Sequence, residues 1–190
     1  LDRRESIIVP EGGLMAETRS YSENAAHTVL LAVDTPSVAG RSFNVGDEEA
    51  LTTSQRIKLV CAALGHEMEI VGMPSHLALP ARPFMMQEEP GHRVLDLSAT
   101  RDLLGYRDLV PARTAVGIAA RWLAENPLEP ESRDEAVLED PFDYDREDRL
   151  LDWWHAATCD PPDLHYPVDP GYGSYFSGPG TSRRRSEERI

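Results

Sequence analysis

Four side chains are the candidates for ligand contact in this sequence of 190 residues. Arg82 and His92 lie in an irregular, proline-rich stretch, where an arginine can pair bidentately with a diphosphate or a carboxylate. The alternative is a surface arginine and a loop histidine. Tyr21 and Asn24 begin a predicted helix, where an asparagine either positions a substrate or cofactor or makes only local hydrogen bonds. These four residues form the predicted substrate-binding set.

The sequence contains no tyrosine and lysine at the spacing of a catalytic pair. Lys58 is the single lysine, and Ser54 occupies the position four residues before it, so a Tyr-x-x-x-Lys motif cannot be written. The histidines and the two cysteines share no spacing typical of metal ligands. We therefore predict no catalytic residue and no metal site in this chain.

Charge and composition indicate which partners this protein can bind and in which cellular compartment it is expected. The net charge of −14 argues against binding to nucleic acid or to an anionic membrane, because both need a basic face. No run of 18 apolar residues is present, which predicts no membrane span. Two cysteines cannot form a disulfide scaffold, so a reduced, cytoplasmic setting is expected. A first residue other than Met suggests a fragment or a processed product.

Apolar periodicity predicts alternating strands and helices over the first half of the chain. Short apolar runs at 7–9, 43–45 and 68–71 predict strands, the second of them within 41–46. A helix is expected from about Ser22 to Val33, capped by Ser20 or Ser22, with Val29, Leu30 and Val33 on one face. A second helix opens with the capping box Thr52-x-x-Gln55 and ends at Gly65.

Helices and turns dominate the second half. A small strand is expected at 94–95, and Ser98 should cap a short helix that Gly105 closes. Pro111 is placed at N1, the first helical residue, of a longer helix with Ala115, Ala119, Trp122 and Leu123 on its inner face. An acidic amphipathic helix is predicted at 145–157, followed by a tail rich in Pro, Gly and Tyr.

Four segments in order resemble the NAD-dependent epimerase/dehydratase family, the extended short-chain dehydrogenase/reductases. Residues 22–27 stand where that family has Val-Asp-Asp-Val-Ala, and 41–46 where it has Tyr-Asn-Val-Gly. Residues 96–106 resemble its Asp-x-Ser-Lys-x-x-x-x-Leu-Gly-Tyr segment, and 122–127 its closing helix. The resemblance covers about residues 20 to 127, all of it in the C-terminal half of the family pattern.

The resemblance implies an α/β fold: the last strands of a Rossmann-like sheet, a mostly helical substrate domain and a low-order tail. Residues 1–127 would be the C-terminal substrate-binding portion, 128–158 an acidic extension with an amphipathic helix, and 159–190 a disordered tail. In the family the substrate is commonly a nucleotide sugar, and the cofactor is NAD or NADP. The predicted substrate-binding set would then contact such a substrate.

The cofactor motif and the base of that family are missing from this sequence. No Gly-x-x-Gly-x-x-Gly turn lies between a strand and a helix, and the nearest approximations are Gly12-Gly13 and the glycines at 171 and 173. We therefore expect no NAD or NADP to bind this chain alone, and its cofactor-binding residues are unknown. The expected partners are a small-molecule substrate and either a second copy or a missing N-terminal nucleotide-binding half. The alternative is a noncatalytic remnant that acts as a protein-interaction module.

Overall fold

The computed structural model describes residues 4–85, 88–129, 132–133, 142–163 and 165. Contacts divide the chain into two compact units, Leu1–Asp152 and Trp153–Ile190. The predicted low-order tail lies mostly outside the described residues. No helix among the described residues has the length and apolar character needed to cross a bilayer.

Strands and helices alternate through the first 73 residues, and helices follow. Short 3₁₀ turns at Pro36–Val38 and Leu79–Phe84 join some of them. The strands are β1 (Ser6–Pro10), β2 (Ala16–Glu17), β3 (Leu51–Thr52) and β4 (Glu69–Met73), and the helices are α1 (Ser22–Val33), α2 (Thr53–Leu64), α3 (Ser98–Leu104), α4 (Ala112–Glu125) and α5 (Tyr144–Thr158).

A two-stranded parallel sheet of β1 and β4 forms the centre of the first unit. Ile8 pairs with Val71, and α1 and α2 lie in the connection that a parallel pair requires. Ile8 and Val9 are fully buried, as expected for an apolar strand covered on both faces. The short antiparallel pair of β2 and β3 forms a second sheet. The predicted mixed α/β class is confirmed.

The capping box of α2 and the glycines that close α2 and α3 were read correctly from local sequence. The starts of α3 and α4 were not, because the N-cap of α3 is Leu97 instead of Ser98, and Pro111 is the N-cap of α4 instead of its first helical residue. Thr52 Oγ1 accepts from the Gln55 amide at 3.2 Å, and Gln55 Oε1 accepts from the Thr52 amide at 2.8 Å, which completes the predicted capping box of α2. Gly65 and Gly105 close α2 and α3 with φ of +64° and +66°, a backbone region that glycine enters without strain.

The prediction for α1 was wrong about the residue that caps the helix, and the apolar face that it identified is not the face that is buried. Its N-cap residue is Tyr21, without a side-chain cap, instead of Ser20 or Ser22. The buried side chains are Asn24 and Thr28. Val29, Leu30 and Val33 are 58%, 61% and 72% exposed, so the apolar stripe of α1 faces away from the first unit. The inner face predicted for α4 was wrong in part, since Trp122 and Leu123 are exposed while Ala112, Ala115 and Ala120 are buried.

The strand predicted at 41–46 does not form among the described residues. This segment has no neighbouring strand to complete a ladder, and side chains hold its backbone instead. Thr100 Oγ1 donates to Asn44 O at 2.7 Å, and Asn44 Nδ2 donates to Asp96 O at 2.9 Å. The strand predicted at 94–95 is also wrong, because the backbone pairing there is a single bridge between Glu17 and Arg93.

Candidate functional site

The carboxyl ends of β1 and β4 meet at one edge of the parallel sheet, where open α/β sheets usually hold their ligands. β1 ends at Pro10 and β4 at Met73. The segments that follow are joined, because the Ser75 amide donates to Glu11 Oε1 at 2.8 Å. Glu11 has a φ of +51°, uncommon for a residue with a side chain. This hydrogen bond fixes one rim of a cleft at the edge of the sheet.

The cleft has an inner part of about 30 Å³ and an outer part of about 720 Å³. Met85, Glu89 and Pro90 line both parts, so the two adjoin. The polar lining is Glu17, Thr53 and Arg93 in the inner part and Ser75, His76, Arg82 and Glu88 in the outer part.

Three arginines surround the Glu17 carboxylate beside the inner part. Arg19 Nη2 lies 2.7 Å and Arg56 Nη1 3.4 Å from Glu17 Oε2, and Arg93 Nη1 lies 4.0 Å from Oε1. The Glu17 side chain is 13% exposed, whereas Arg19 and Arg93 are 60% and 50% exposed. We call Arg19, Arg56 and Arg93 the arginine cluster. Glu17 is not their only counter-charge, because Asp47 acts on Arg56 and Glu89 lines the inner part beside Arg93.

Arg56 differs from the other two arginines because the backbone holds it in place. Its Nη2 donates to the carbonyl oxygens of Glu17 and Leu51, the latter at 2.9 Å. Partial burial, and then the charge of Arg19, lower the pKa of the Arg56 guanidinium from its usual value. Arg56 thus anchors the cluster, while the more exposed guanidiniums of Arg19 and Arg93 are accessible to a ligand.

His92 and Arg93 are attached to β2 through the backbone. The Arg93 amide donates to Ala16 O and the Thr18 amide donates to Arg93 O, both at 2.9 Å. His92 Nδ1 accepts from the Ala16 amide at 3.0 Å, which leaves Nε2 as the ring nitrogen that a ligand would meet. Arg82 lies on the Leu79–Phe84 turn and lines the outer part. The structure thus places two of the four predicted residues at or beside the cleft.

Tyr21 and Asn24 lie at a different place, around the buried Asp47 carboxylate. The Tyr21 amide donates to Asp47 Oδ1 at 3.0 Å, and Asn24 Nδ2 donates to the same oxygen at 2.9 Å. Asn24 is fully buried, and it also joins α1 to 109–110: Nδ2 donates to Val110 O, and Oδ1 accepts from the Leu109 and Val110 amides. Its amide is fully occupied by protein partners, so contact with a substrate stays a prediction.

Tyr21 lines a separate pocket of about 170 Å³ together with Arg19 and Arg56. Its hydroxyl donates to Glu23 Oε1 at 3.4 Å. Desolvation, and then the Glu23 carboxylate, raise the pKa of the Tyr21 phenol above its usual value. A catalytic tyrosine needs the opposite shift, so the electrostatics of Tyr21 do not favour a role as a base.

A third polar group supports the loop that carries Asp47. Tyr106, fully buried, donates to Asp108 Oδ1 at 2.7 Å, and the Glu48 amide donates to Asp108 Oδ2 at 3.0 Å. Burial raises the pKa of the Asp108 carboxyl, and burial followed by the Asp108 carboxylate raises that of Tyr106. These bonds tie 47–48 to 106–108 and so position Asp47 under α1.

The Gly12-Gly13 turn does not provide a cradle for the pyrophosphate of a dinucleotide. A side-chain carbon added at Gly13 would lie 2.8 Å from the Ser54 amide nitrogen and 2.9 Å from Val9 Cγ1, so protein atoms already fill that space. The turn leads into β2 instead of opening a helix, as the dinucleotide motif requires. Among the described residues, no group of three or more His, Cys, Asp and Glu side chains is arranged to hold a metal ion.

Sequence reasoning missed Glu17, Arg19, Arg56 and Arg93. A weak signal was present, since Glu17 and Arg19 alternate in the way that places two side chains on one face of a strand. The other two arginines reach Glu17 only through the fold, and no spacing in the sequence connects them.

No family model and no curated protein matches this chain. Three of the solved structures that are similar to part of this chain are sugar-nucleotide epimerases. A UDP-galactose 4-epimerase is 19% identical with a TM-score of 0.46, covering 60% of this chain and 35% of its own. The UDP-N-acetylglucosamine 4-epimerase of Bacillus cereus is 20% identical with a TM-score of 0.49, covering 63% and 38%. The UDP-glucose 4-epimerase of Thermotoga maritima is 17% identical with a TM-score of 0.47, covering 63% and 35%. The chain therefore spans little more than a third of the length of these proteins.

Proposed function

We propose that the cleft binds an anionic, hydroxylated substrate such as a nucleotide sugar. In this proposal the chain is the substrate-binding portion of an NAD(P)-dependent epimerase/dehydratase-like oxidoreductase. The observation that carries the proposal is the pair of arginines that line the cleft, Arg93 in its inner part and Arg82 in its outer part, in a chain of net charge −14. A diphosphate offers paired oxygens that match the fork of an arginine.

In this proposal the cleft binds the substrate, and the hydride and proton transfers take place on residues outside this chain. Its inner and outer parts offer arginine, histidine, serine and glutamate side chains, and neither includes a tyrosine or a lysine among the described residues. At Gly13 of the Gly12-Gly13 turn, protein atoms occupy the space that a side-chain carbon would take. In our proposal these residues form one wall of a substrate site, and the nucleotide-binding part supplies the cofactor and the base.

The exposed stripe of α1 is the proposed contact with that nucleotide-binding part. Val29 and Val33 border a groove of about 420 Å³ that Val38 and Phe43 also line. Soluble proteins rarely leave such a stripe uncovered. The same observation favours the second candidate function, a noncatalytic module that docks a protein partner through α1.

Titration calorimetry with UDP-glucose, UDP and glucose tests the substrate proposal. We expect UDP to bind nearly as well as UDP-glucose, and glucose not to bind, because in this proposal Arg82 and Arg93 recognise the diphosphate. Arg93→Gln should weaken UDP binding by about tenfold, the equivalent of one charged hydrogen bond. Binding should also weaken as salt is raised.

Arg113→Gln is the matched control. Arg113 is as exposed as Arg93 and pairs with Glu49 at 2.7 Å, outside the cleft lining. Equal affinities for R93Q and R113Q would refute the role of Arg93 in the cleft. Titration with NADH forms a second arm: tight binding by this chain alone would contradict the division of labour, whereas absent UDP binding with intact folding would favour the docking module.

A further inference from the structure

The outer edge of β1 carries one central hydrogen-bond donor. Among the described residues β1 has a single ladder neighbour, β4, so its other edge is where a further strand could add. Successive residues of a strand direct their backbone groups to opposite edges, and the Ile8 amide points to the outer edge because its partner lies on α5. Ser6 and Pro10 face the same way, and Pro10 has no N–H group.

Glu147 of α5 accepts the hydrogen bond from this donor. Its Oε1 accepts from the Ile8 amide at 2.7 Å across a sequence separation of 139 residues. Glu147 is 2% exposed, and its second oxygen, Oε2, accepts from Arg4 Nη2 at 3.0 Å. A buried carboxylate is costly unless both of its oxygens find partners. Here one oxygen accepts from the Ile8 amide of the sheet, and the other accepts from the Arg4 guanidinium.

Several contacts seat the start of α5 on this edge. Arg4 Nη2 also donates to Asp148 Oδ1 at 2.7 Å, and the Arg4 guanidinium lies 4.8 Å from the centroid of the Tyr144 ring. Leu151, one turn after Glu147, is buried. The sequence predicts an acidic amphipathic helix here without distinguishing Glu147, which the structure buries.

We infer that α5 is a built-in cap on β1, and that it competes with a second copy of this chain for the same edge. Ile8 is the middle residue of β1, and its backbone N–H group points to the outer edge. Two copies of β1 can therefore pair antiparallel about Ile8, and the two Ile8 residues would exchange both N–H···O bonds. Such a pairing is two-fold symmetric, as the commonest dimers are. Glu147 blocks it by taking the donor that it requires.

Replacing Glu147 in the full chain tests the cap. Glu147→Met keeps a straight side chain of similar length without an acceptor, and Asp148 remains to balance Arg4. We expect sedimentation equilibrium to show a self-association constant at least about tenfold above that of the wild-type protein. Glu147→Gln keeps an acceptor oxygen for the Ile8 amide and should match wild type. Asp148→Asn is the control for the charge of Arg4 and should also match.

A second substitution identifies the edge. Ser6→Pro removes an outward N–H group, so adding it to E147M should block pairing through β1 and restore the wild-type mass. Equal masses for wild type and E147M would overturn the inference. A rise for E147Q as large as for E147M, or a rise that S6P does not reverse, would also overturn it.

Hydrogen exchange on the wild-type protein decides the matter without any variant. The Ile8 amide should be protected as well as the ladder amides of Ile7 and Val9, although no strand in the described part of the chain covers it. Rapid exchange at Ile8 beside protected neighbours would refute the cap.

Discussion

Replacing Asn24 separates a structural role from a ligand-binding role. Asn24→Ala removes four hydrogen bonds, two donated by Nδ2 to Asp47 Oδ1 and Val110 O, and two accepted by Oδ1 from the Leu109 and Val110 amides. Each buried group left without a partner costs about 1–3 kcal/mol. The groups at 109–110 are partly exposed, so water can replace part of what is lost. We therefore expect the free energy of unfolding to fall by about 2–4 kcal/mol, a large share of the usual total.

Urea unfolding followed by circular dichroism measures this loss, with Asn126→Ala as the control. Asn126 Nδ2 makes one exposed hydrogen bond, to Trp122 O at 2.9 Å, so N126A should stay within about 0.5 kcal/mol of wild type. Asn24→Asp gives a second comparison, since a new carboxylate would face Asp47 Oδ1, now 2.9 Å from Asn24 Nδ2. We expect N24D to be destabilised at neutral pH and to recover partly as the carboxylates protonate.

A stable N24A would refute this reasoning. If its free energy of unfolding equals that of N126A and its affinity for UDP-glucose falls, Asn24 binds the ligand and its hydrogen bonds in the structure are incidental. If N24A loses stability while its folded fraction binds UDP-glucose as wild type does, the contacts with 109–110 explain why this asparagine is there.

Two further predictions concern the backbone and pH. Gly13→Ala should lower the free energy of unfolding in urea by about 2–3 kcal/mol, because its Cβ would meet Ser54 N at 2.8 Å. Gly40→Ala is the control: Gly40 has a φ of +79° and open space around it, so the loss should be only about 1 kcal/mol. Equal losses for the two variants would contradict the close approach at Gly13. Burial raises the pKa of Asp108 above its ordinary value of 3.8. Between 3.8 and the raised pKa, the folded protein therefore binds a proton that the unfolded chain does not. Above the raised pKa, Asp108 is ionised in both states, and its burial lowers the free energy of unfolding. Relative to Asp108→Asn, wild type should therefore gain stability as pH falls through the raised pKa toward 3.8, and a difference that is flat with pH would contradict the shift.

Local signals made parts of the fold predictable from sequence. The capping box at Thr52 and Gln55 and the left-handed glycines Gly65 and Gly105 depend on residues within one turn of each other. The segment 41–46 was mispredicted because a strand needs a neighbour, and pairing is not a property of the segment itself. The apolar stripe of α1 was visible, but periodicity shows that a face is apolar without showing that anything covers it.

The candidate site was harder to predict for the same reason. Arg82 could be selected because a cation in an irregular, proline-rich stretch suggests a binding loop. Glu17 and its arginines come from β2, the segment after it, α2 and the segment near 93, which only the tertiary fold brings within 4.0 Å. Glu147 was hidden in an acidic run, since composition cannot distinguish one inward carboxylate from its solvated neighbours.

The long separation between Ile8 and Glu147 has a consequence for synthesis of the chain. As the nascent polypeptide emerges, α1 and α2 can form early because their contacts are local, but β1 must wait for β4, roughly 60 residues later. The pair then stays uncapped until Glu147, separated from Ile8 by 139 residues, has left the ribosome. During that interval neighbouring chains on one polysome carry open β1 edges at high local concentration. Translation speed between β4 and α5 would therefore influence how much of the product misassembles.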